Sequence, residues 1–237
     1  MAVNLTHYEF AMNYGLRDQM QLSLRVPYDI KAMRVHYPLF SGEPYVPPYG
    51  DIHHRTETLS GISDPTLSLE WSPRADWMLG GGSMLPLGHT VPNPVILGRE
   101  GLRHEHMQFG SGTFRPVLSA QFANARFYAS AETHLSLYES NKGFRAPNEL
   151  LWSTGPSFRA GSWSIDPRLQ GQYQSLGHWA GEVDEGSGFN NGGVRLQVSL
   201  PFHGVVITPG IYRELFSHGA SGQTFKQATT WSVSITR

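Results

Sequence analysis

No cysteine occurs in the 237-residue chain. Disulfides and thiolate metal sites are therefore excluded, and with them the small disulfide-stapled scaffolds. No run of about 18 apolar residues occurs either, which rules out a spanning helix. Hydrophobic residues make up only 39% of the chain and mean hydropathy is −0.32. An excess of one charge sign is also missing, since 18 Lys and Arg stand against 19 Asp and Glu. That balance argues against a nucleic-acid partner or a polybasic membrane-surface role. The opening MAVNLTHYEF holds no basic stretch followed by an apolar one, so no signal peptide is read there. None of these absences excludes a membrane, because a spanning strand needs only about 10 residues, alternate ones apolar.

What is present is a period of two, repeated along the chain, with Gly 26 and Pro 16 supplying turn residues. Between Met20 and Lys31, Leu22, Leu24, Val26, Tyr28 and Ile30 fall on one face, while Gln21, Ser23, Arg25, Asp29 and Lys31 fall on the other. Val194, Leu196, Val198 and Leu200 repeat the alternation against Arg195, Gln197 and Ser199. Trp231, Val233 and Ile235 do so against Thr230, Ser232 and Ser234. Reading every such run predicts about eleven strands, over about 4–15, 20–35, 61–72, 77–87, 109–122, 125–138, 148–160, 163–175, 193–203, 205–216 and 227–236. Gly80, Gly81 and Gly82 interrupt the fourth and predict a bulge or bend. Asp64-Pro65 reads as a bend where the third begins. Short connections alternate strictly with long ones, the long ones near 36–60, 88–108, 139–147, 176–192 and 217–226. Tight turns at one end and long loops at the other are the layout of a bacterial outer-membrane barrel.

Parity alone leaves two readings open: a soluble barrel with its apolar face inward, or a membrane barrel with that face outward. Aromatic placement favours the second. Near the short turns the apolar face carries Tyr14, Trp71, Trp77, Phe122, Phe127 and Phe158, and then Trp163 and Phe202. Tyr28, Phe114, Trp152 and Tyr173 fall near the long-loop end and suit a second interfacial girdle. The polar face is also too charged for a dry core, where each unpaired charge costs several kcal/mol. The expected fold is therefore all-β: a single antiparallel transmembrane β-barrel domain spanning 1–237, in the bacterial outer membrane. Arg25, Asp29, Arg115, Arg126, Glu132, His134, Arg168 and Arg195 are the expected pore-lining set. Eleven is an odd number, and single-chain bacterial barrels have an even one with both termini on the short-turn side. The first strand here begins on the long-loop side. The expectation is either a further upward strand with a signal peptide, giving about twelve, or an unusual pairing of Met1–Thr6.

At Gly61–Trp71 (GISDPTLSLEW) and Phe109–Phe122 (FGSGTFRPVLSAQF) the chain resembles the outer-membrane family described as transporters of the phenol degradation meta-pathway. The segment from Gly143 (GFRAPNELLWSTGPSF) and the ending from Tyr212 to Thr236 are similar to it too. The resemblance implies a barrel of about twelve strands that passes small, hydrophobic or aromatic solutes across the outer membrane. Arg115 stands where an acidic residue is common in that family, and Arg237 where its last strand ends in an aromatic. The expected partners are membrane lipid, a small-molecule solute and the outer-membrane assembly machinery, with no cofactor.

Competing readings attach to particular residues. His134 and Ser136 share the inward parity with Glu132, and a His-x-Ser pair with a carboxylate is able to activate a hydroxyl nucleophile. An outer-membrane lipid hydrolase is the enzymatic alternative, against a polar ladder of no chemical consequence. His36, His53, His54, His89, His104, His106, His178 and His218 fall in long connections, where imidazoles ligate borderline metals or simply face solvent. No metal site is assigned. Charges lining the bore either tune permeation or pair across it, leaving a non-conducting structural barrel.

Overall fold

The computed structural model describes residues 2–35, 55–105, 108–220, 222 and 228–236. Its strands are β1 (Ala2–Arg17), β2 (Met20–Arg34), β3 (Glu57–Ile62), β4 (Thr66–Arg74), β5 (Trp77–Met84), β6 (Arg115–Ala123), β7 (Phe127–His134), β8 (Phe144–Arg145), β9 (Glu149–Pro156), β10 (Phe158–Ala160), β11 (Trp163–Gln174), β12 (Gly177–Trp179), β13 (Glu182–Asp184), β14 (Phe189–Phe202), β15 (Val205–Gly219) and β16 (Thr229–Thr236). Eleven of them form one antiparallel path, β1-β2-β4-β5-β6-β7-β9-β11-β14-β15-β16. β3 continues the pairing of β2, β10 pairs β11, and β8, β12 and β13 make a small sheet of their own. The barrel wall is thus a meander in which each hairpin joins chain neighbours, as alternating strands with tight turns dictate. The β14–β15 turn has His203 at φ 47 and Gly204 at φ 83. Positive φ at both central residues gives the turn the twist that flanking strands need.

Burial is inverted relative to a soluble protein. Among the described residues the buried hydrophobic side chains are four, Phe109, Val117, Ala146 and Trp179, and only Val117 lies on a barrel strand. Fifteen buried residues are polar or charged, including Asp29, Asp64, Arg115, His134, Asp166 and Glu214. The apolar parity points outward instead: Leu69, Leu118, Leu169, Val194, Leu196 and Val233 are exposed. Leaving such side chains in water forfeits about 1.5–3 kcal/mol each, so the face is built for lipid. This decides between the two orientations that parity left open, and the fold is an antiparallel transmembrane β-barrel. Trp71 and Trp77 are exposed near the short turns, and Trp77 packs edge-on to Phe122 with centroids 5.3 Å apart. No helix among the described residues is long and apolar enough to cross a membrane. The short helix α1 (Pro94–Arg99), capped by the Asn93 side chain, lies within a long connection.

Three strand expectations need correction. Gly80–Gly82 produce no bulge: β5 pairs with β6 in unbroken register from Trp77 to Met84, and the register shift falls at Trp71/Arg74 beside the turn. The glycines serve close approach, since a Cβ on Gly82 would lie 2.1 Å from the Leu67 carbonyl oxygen. The predicted strand 109–122 begins only at Arg115, because residues 109–114 fold as an irregular segment with Gly112 at φ 72. The predicted strand 61–72 is divided at Ser63–Pro65 into β3 and β4. Met1–Thr6 showed no unusual pairing over its described part, for Ala2–Thr6 continue the regular register against Ile30–Arg34. Among the described residues β1 pairs only with β2, and β16 only with β15. Both edge strands run toward the short-turn end.

Candidate functional site

The inward parity gathers charge. Arg25 on β2 donates to Glu132 on β7 across a 2.7 Å contact. Four strand spacings separate β2 from β7 along the sheet, roughly 19 Å if it were flat. An Arg and a Glu side chain together do not span that, so the contact exists because the wall curls round. Small bore-facing residues between them, Ser68, Gly80, Gly82 and Ser119, leave the room. The network continues upward: His134 Nε2 lies 2.8 Å from Glu132, and its Nδ1 lies 2.9 Å from Glu149. Arg115 stands 3.6 Å from Glu149 and donates to the Pro147 carbonyl at 2.6 Å. Gln174 donates at 3.0 Å to Glu149 Oε1, the oxygen that Arg115 also faces, while His134 meets Oε2. Such a ladder of opposite charges pairs most of its own members, which lowers its burial cost, although Arg115 Nε finds no hydrogen-bond partner among the described residues.

A second cluster lies on β11 and β14, where Arg168 and Arg195 are direct cross-strand partners. Like charges placed opposite one another repel, and these two lean apart. Arg168 reaches over Gly155 to lie 3.6 Å from the centre of the Tyr128 ring, with Asp166 at 3.8 Å. Arg195 donates to Ser232 on β16 at 3.0 Å. Asp29 accepts from Ser63 and sits 2.7 Å from His7 Nδ1. Seven members of the expected pore-lining set thus stand on the inner wall. Arg126 does not: it sits exposed in the tight turn between β6 and β7, where its amide donates to the Asn124 side chain. A turn of three residues ends the alternation on which its inward assignment rested.

Above the network lies a chamber of about 670 Å³. Wall residues from several strands border it, among them His7, Asp29, Met84 and Glu149. Loop residues border it too: Gln108–Ser111, Phe144 and Trp179. The connections β5–β6, β7–β9 and β11–β14 therefore fold inward over the mouth. Phe144 and Trp179 pack at 4.7 Å where β8 meets β12. Lys31 donates to the Gln108 carbonyl at 2.5 Å and lies 4.4 Å from the Phe109 ring centre. The Gln108 side-chain amide is buried with no hydrogen-bond partner among the described residues.

The His134/Ser136 constellation is not assembled for acyl transfer. Both imidazole nitrogens face carboxylates, so neither is free to take a proton from a serine, and the buried Ser136 hydroxyl has no partner among the described residues. Of the loop histidines, His36, His53, His54 and His106 lie outside the described residues, as does Arg237. Among the described residues no cluster of three or more His, Asp or Glu suits a metal ion. His104 turns its Nδ1 to the Leu102 carbonyl at 2.9 Å. Sequence reasoning missed Lys31, Asp64, Gln108 and Ser111 as members of the site. For Asp64 and Ser111 a signal existed, since each sits in a short glycine-bearing motif.

No family model matches the chain, and no curated protein matches its sequence. Among solved structures it is similar to an outer membrane channel from Pseudomonas putida F1, with a TM-score of 0.61 at 12% identity. The match covers 99% of this chain and 83% of the channel's. That likeness bears on the fold.

Proposed function

We propose that this chain forms an outer-membrane channel that lets a small solute pass, by passive or facilitated movement, through a charged bore. The observation that carries the reading is the inversion of burial: a sheath of exposed Leu, Val and aromatic side chains around Arg25, Glu132, His134, Arg168 and Arg195. Charged rings in a bore tune what permeates. The chamber's Phe109, Phe144 and Trp179 supply apolar wall for a hydrophobic or aromatic solute. The solved channel with the same fold supports channel-like behaviour. Membrane lipid and the outer-membrane assembly machinery are the partners this reading entails. Liposome swelling in a graded series of small neutral and aromatic solutes tests it; permeation no faster than in protein-free vesicles contradicts it.

A strand running opposite to β1 and β16 completes this reading, because lipid offers no partner for the backbone groups of open strand edges. We propose such a closing strand, giving an even count. Fusing an alternating strand ahead of Met1 then raises the yield of heat-modifiable barrel, and an unchanged yield speaks against it.

One contact favours a second reading, a barrel that conducts nothing. Arg25 and Glu132 join across the bore, and a side-chain bridge of this kind plugs a narrow lumen. Replacing Glu132 by Gln and Arg25 by Gln separates the two readings. Conductance that first arises in the double variant identifies the bridge as a plug, whereas conductance already present in the parent chain rejects that reading.

A further inference from the structure

The connection between β5 and β6 returns into the mouth of the barrel and is tied there at its base. Asp64, 3% exposed, holds both limbs of it. Its Oδ1 accepts from the Gly88 amide on the outgoing limb at 2.9 Å. Its Oδ2 accepts from the Ser111 amide and from the Ser111 hydroxyl on the returning limb, each at 2.7 Å. Limb meets limb above the carboxylate, where the amides of Phe109 and Gly110 both donate to the His89 carbonyl at 3.0 Å. The packing is close enough that a Cβ on Gly110 would lie 2.4 Å from the Gly88 oxygen. The returning limb then lies on the inner face of the wall: a Cβ on Gly61 would sit 3.6 Å from the Phe109 ring, and Lys31 binds the Gln108 carbonyl. Ser111 and Thr113 are 5% and 1% exposed.

Among the described residues no cation pairs with Asp64; its partners are two backbone amides and a hydroxyl. A buried carboxylate costs several kcal/mol unless such donors are fixed in place. Here they are fixed only while the strap lies inward, so carboxylate and strap stabilise one another. The chamber is bounded by this strap on one side and by the walls of β1, β9 and β11 on others, which places the strap where a passing solute must go by it.

We infer that residues 108–114 form the constriction of the bore and that Asp64 is the positioning residue that sets its width, and so the size of solute admitted. This rests on the channel reading above.

The test uses the full chain with Asp64→Ala, and with Ser111→Ala as a milder change that keeps the amide bond to Asp64. Heat-modifiable migration first establishes that each variant is folded. Two quantities are then read: single-channel conductance, and the labelling rate of Thr113→Cys by a membrane-impermeant maleimide in a chain with no other thiol. The expected result for Asp64→Ala is conductance raised about twofold or more and labelling faster by about tenfold, the change expected when a hydrogen-bonded latch worth about 1.4 kcal/mol is lost. Ser111→Ala gives smaller shifts in the same direction. Folded variants with parental conductance and parental labelling overturn the inference while leaving the channel intact. A parent chain that conducts nothing, with labelling still accelerated by Asp64→Ala, upholds the placement of the strap and overturns the channel reading.

Discussion

Asp64 and Ser111, 47 positions apart, meet through two hydrogen bonds of 2.7 Å to the same carboxylate oxygen. Each lies in one of the two glycine-bearing motifs visible in the sequence, GISDP and GSGTF. The motifs look separate along the chain and form one cluster in the barrel mouth.

Losing the Ser111 hydroxyl therefore leaves a buried carboxylate short of a donor. Ser111→Ala is expected to lower stability by about 1–3 kcal/mol, read as a shift in the denaturant midpoint of the lipid-reconstituted barrel. An unshifted midpoint would mean that water replaces the hydroxyl and that the cluster is wetter than its burial indicates.

The barrel was legible in the sequence because its period is two and its faces differ in chemistry. Leu22 to Ile30 and Val194 to Leu200 declare both strand and face, and pairing follows from the short turns. The strap was not legible. Phe114 continues the outward parity of Leu118 and Phe122, so the pattern extended β6 back by six residues, and the left-handed Gly112 marks where the chain departs from it. Arg126 was misplaced for a similar reason, since parity continues on paper through a turn that ends it in space. The glycine run misled in the other direction: Gly80 and Gly82 fit tight strand packing, which a single sequence cannot distinguish from a bend. Contacts across the bore, such as Arg25 with Glu132, depend on curvature and are not encoded in any local pattern.

The arginine pair gives a second prediction. Arg168 and Arg195 oppose one another, and among the described residues Asp166 is the one carboxylate paired with either, so this stretch of wall carries excess positive charge. Replacing both by Gln shifts the reversal potential under a salt gradient toward cation preference, and more so at low ionic strength, where screening is weak. Identical reversal potentials for parent and variant would remove these arginines from the permeation path.

Adjacent residues on β11 test the inverted burial. Leu169 is exposed on the outer face and Gln170 points inward. Leu169→Arg is expected to destabilise the reconstituted barrel by about 2–4 kcal/mol if it lies near the bilayer midplane, less toward the interface. Gln170→Arg, one residue away, changes stability far less and alters conductance instead. Equal destabilisation by the two substitutions contradicts the outward orientation of the apolar face.

The most direct measurement is single-channel recording of the detergent-folded, heat-modifiable chain in a planar lipid bilayer. A steady unitary conductance that appears only with folded protein and disappears after boiling is the expected result. A folded, detergent-requiring barrel that leaves the bilayer silent would contradict the channel reading.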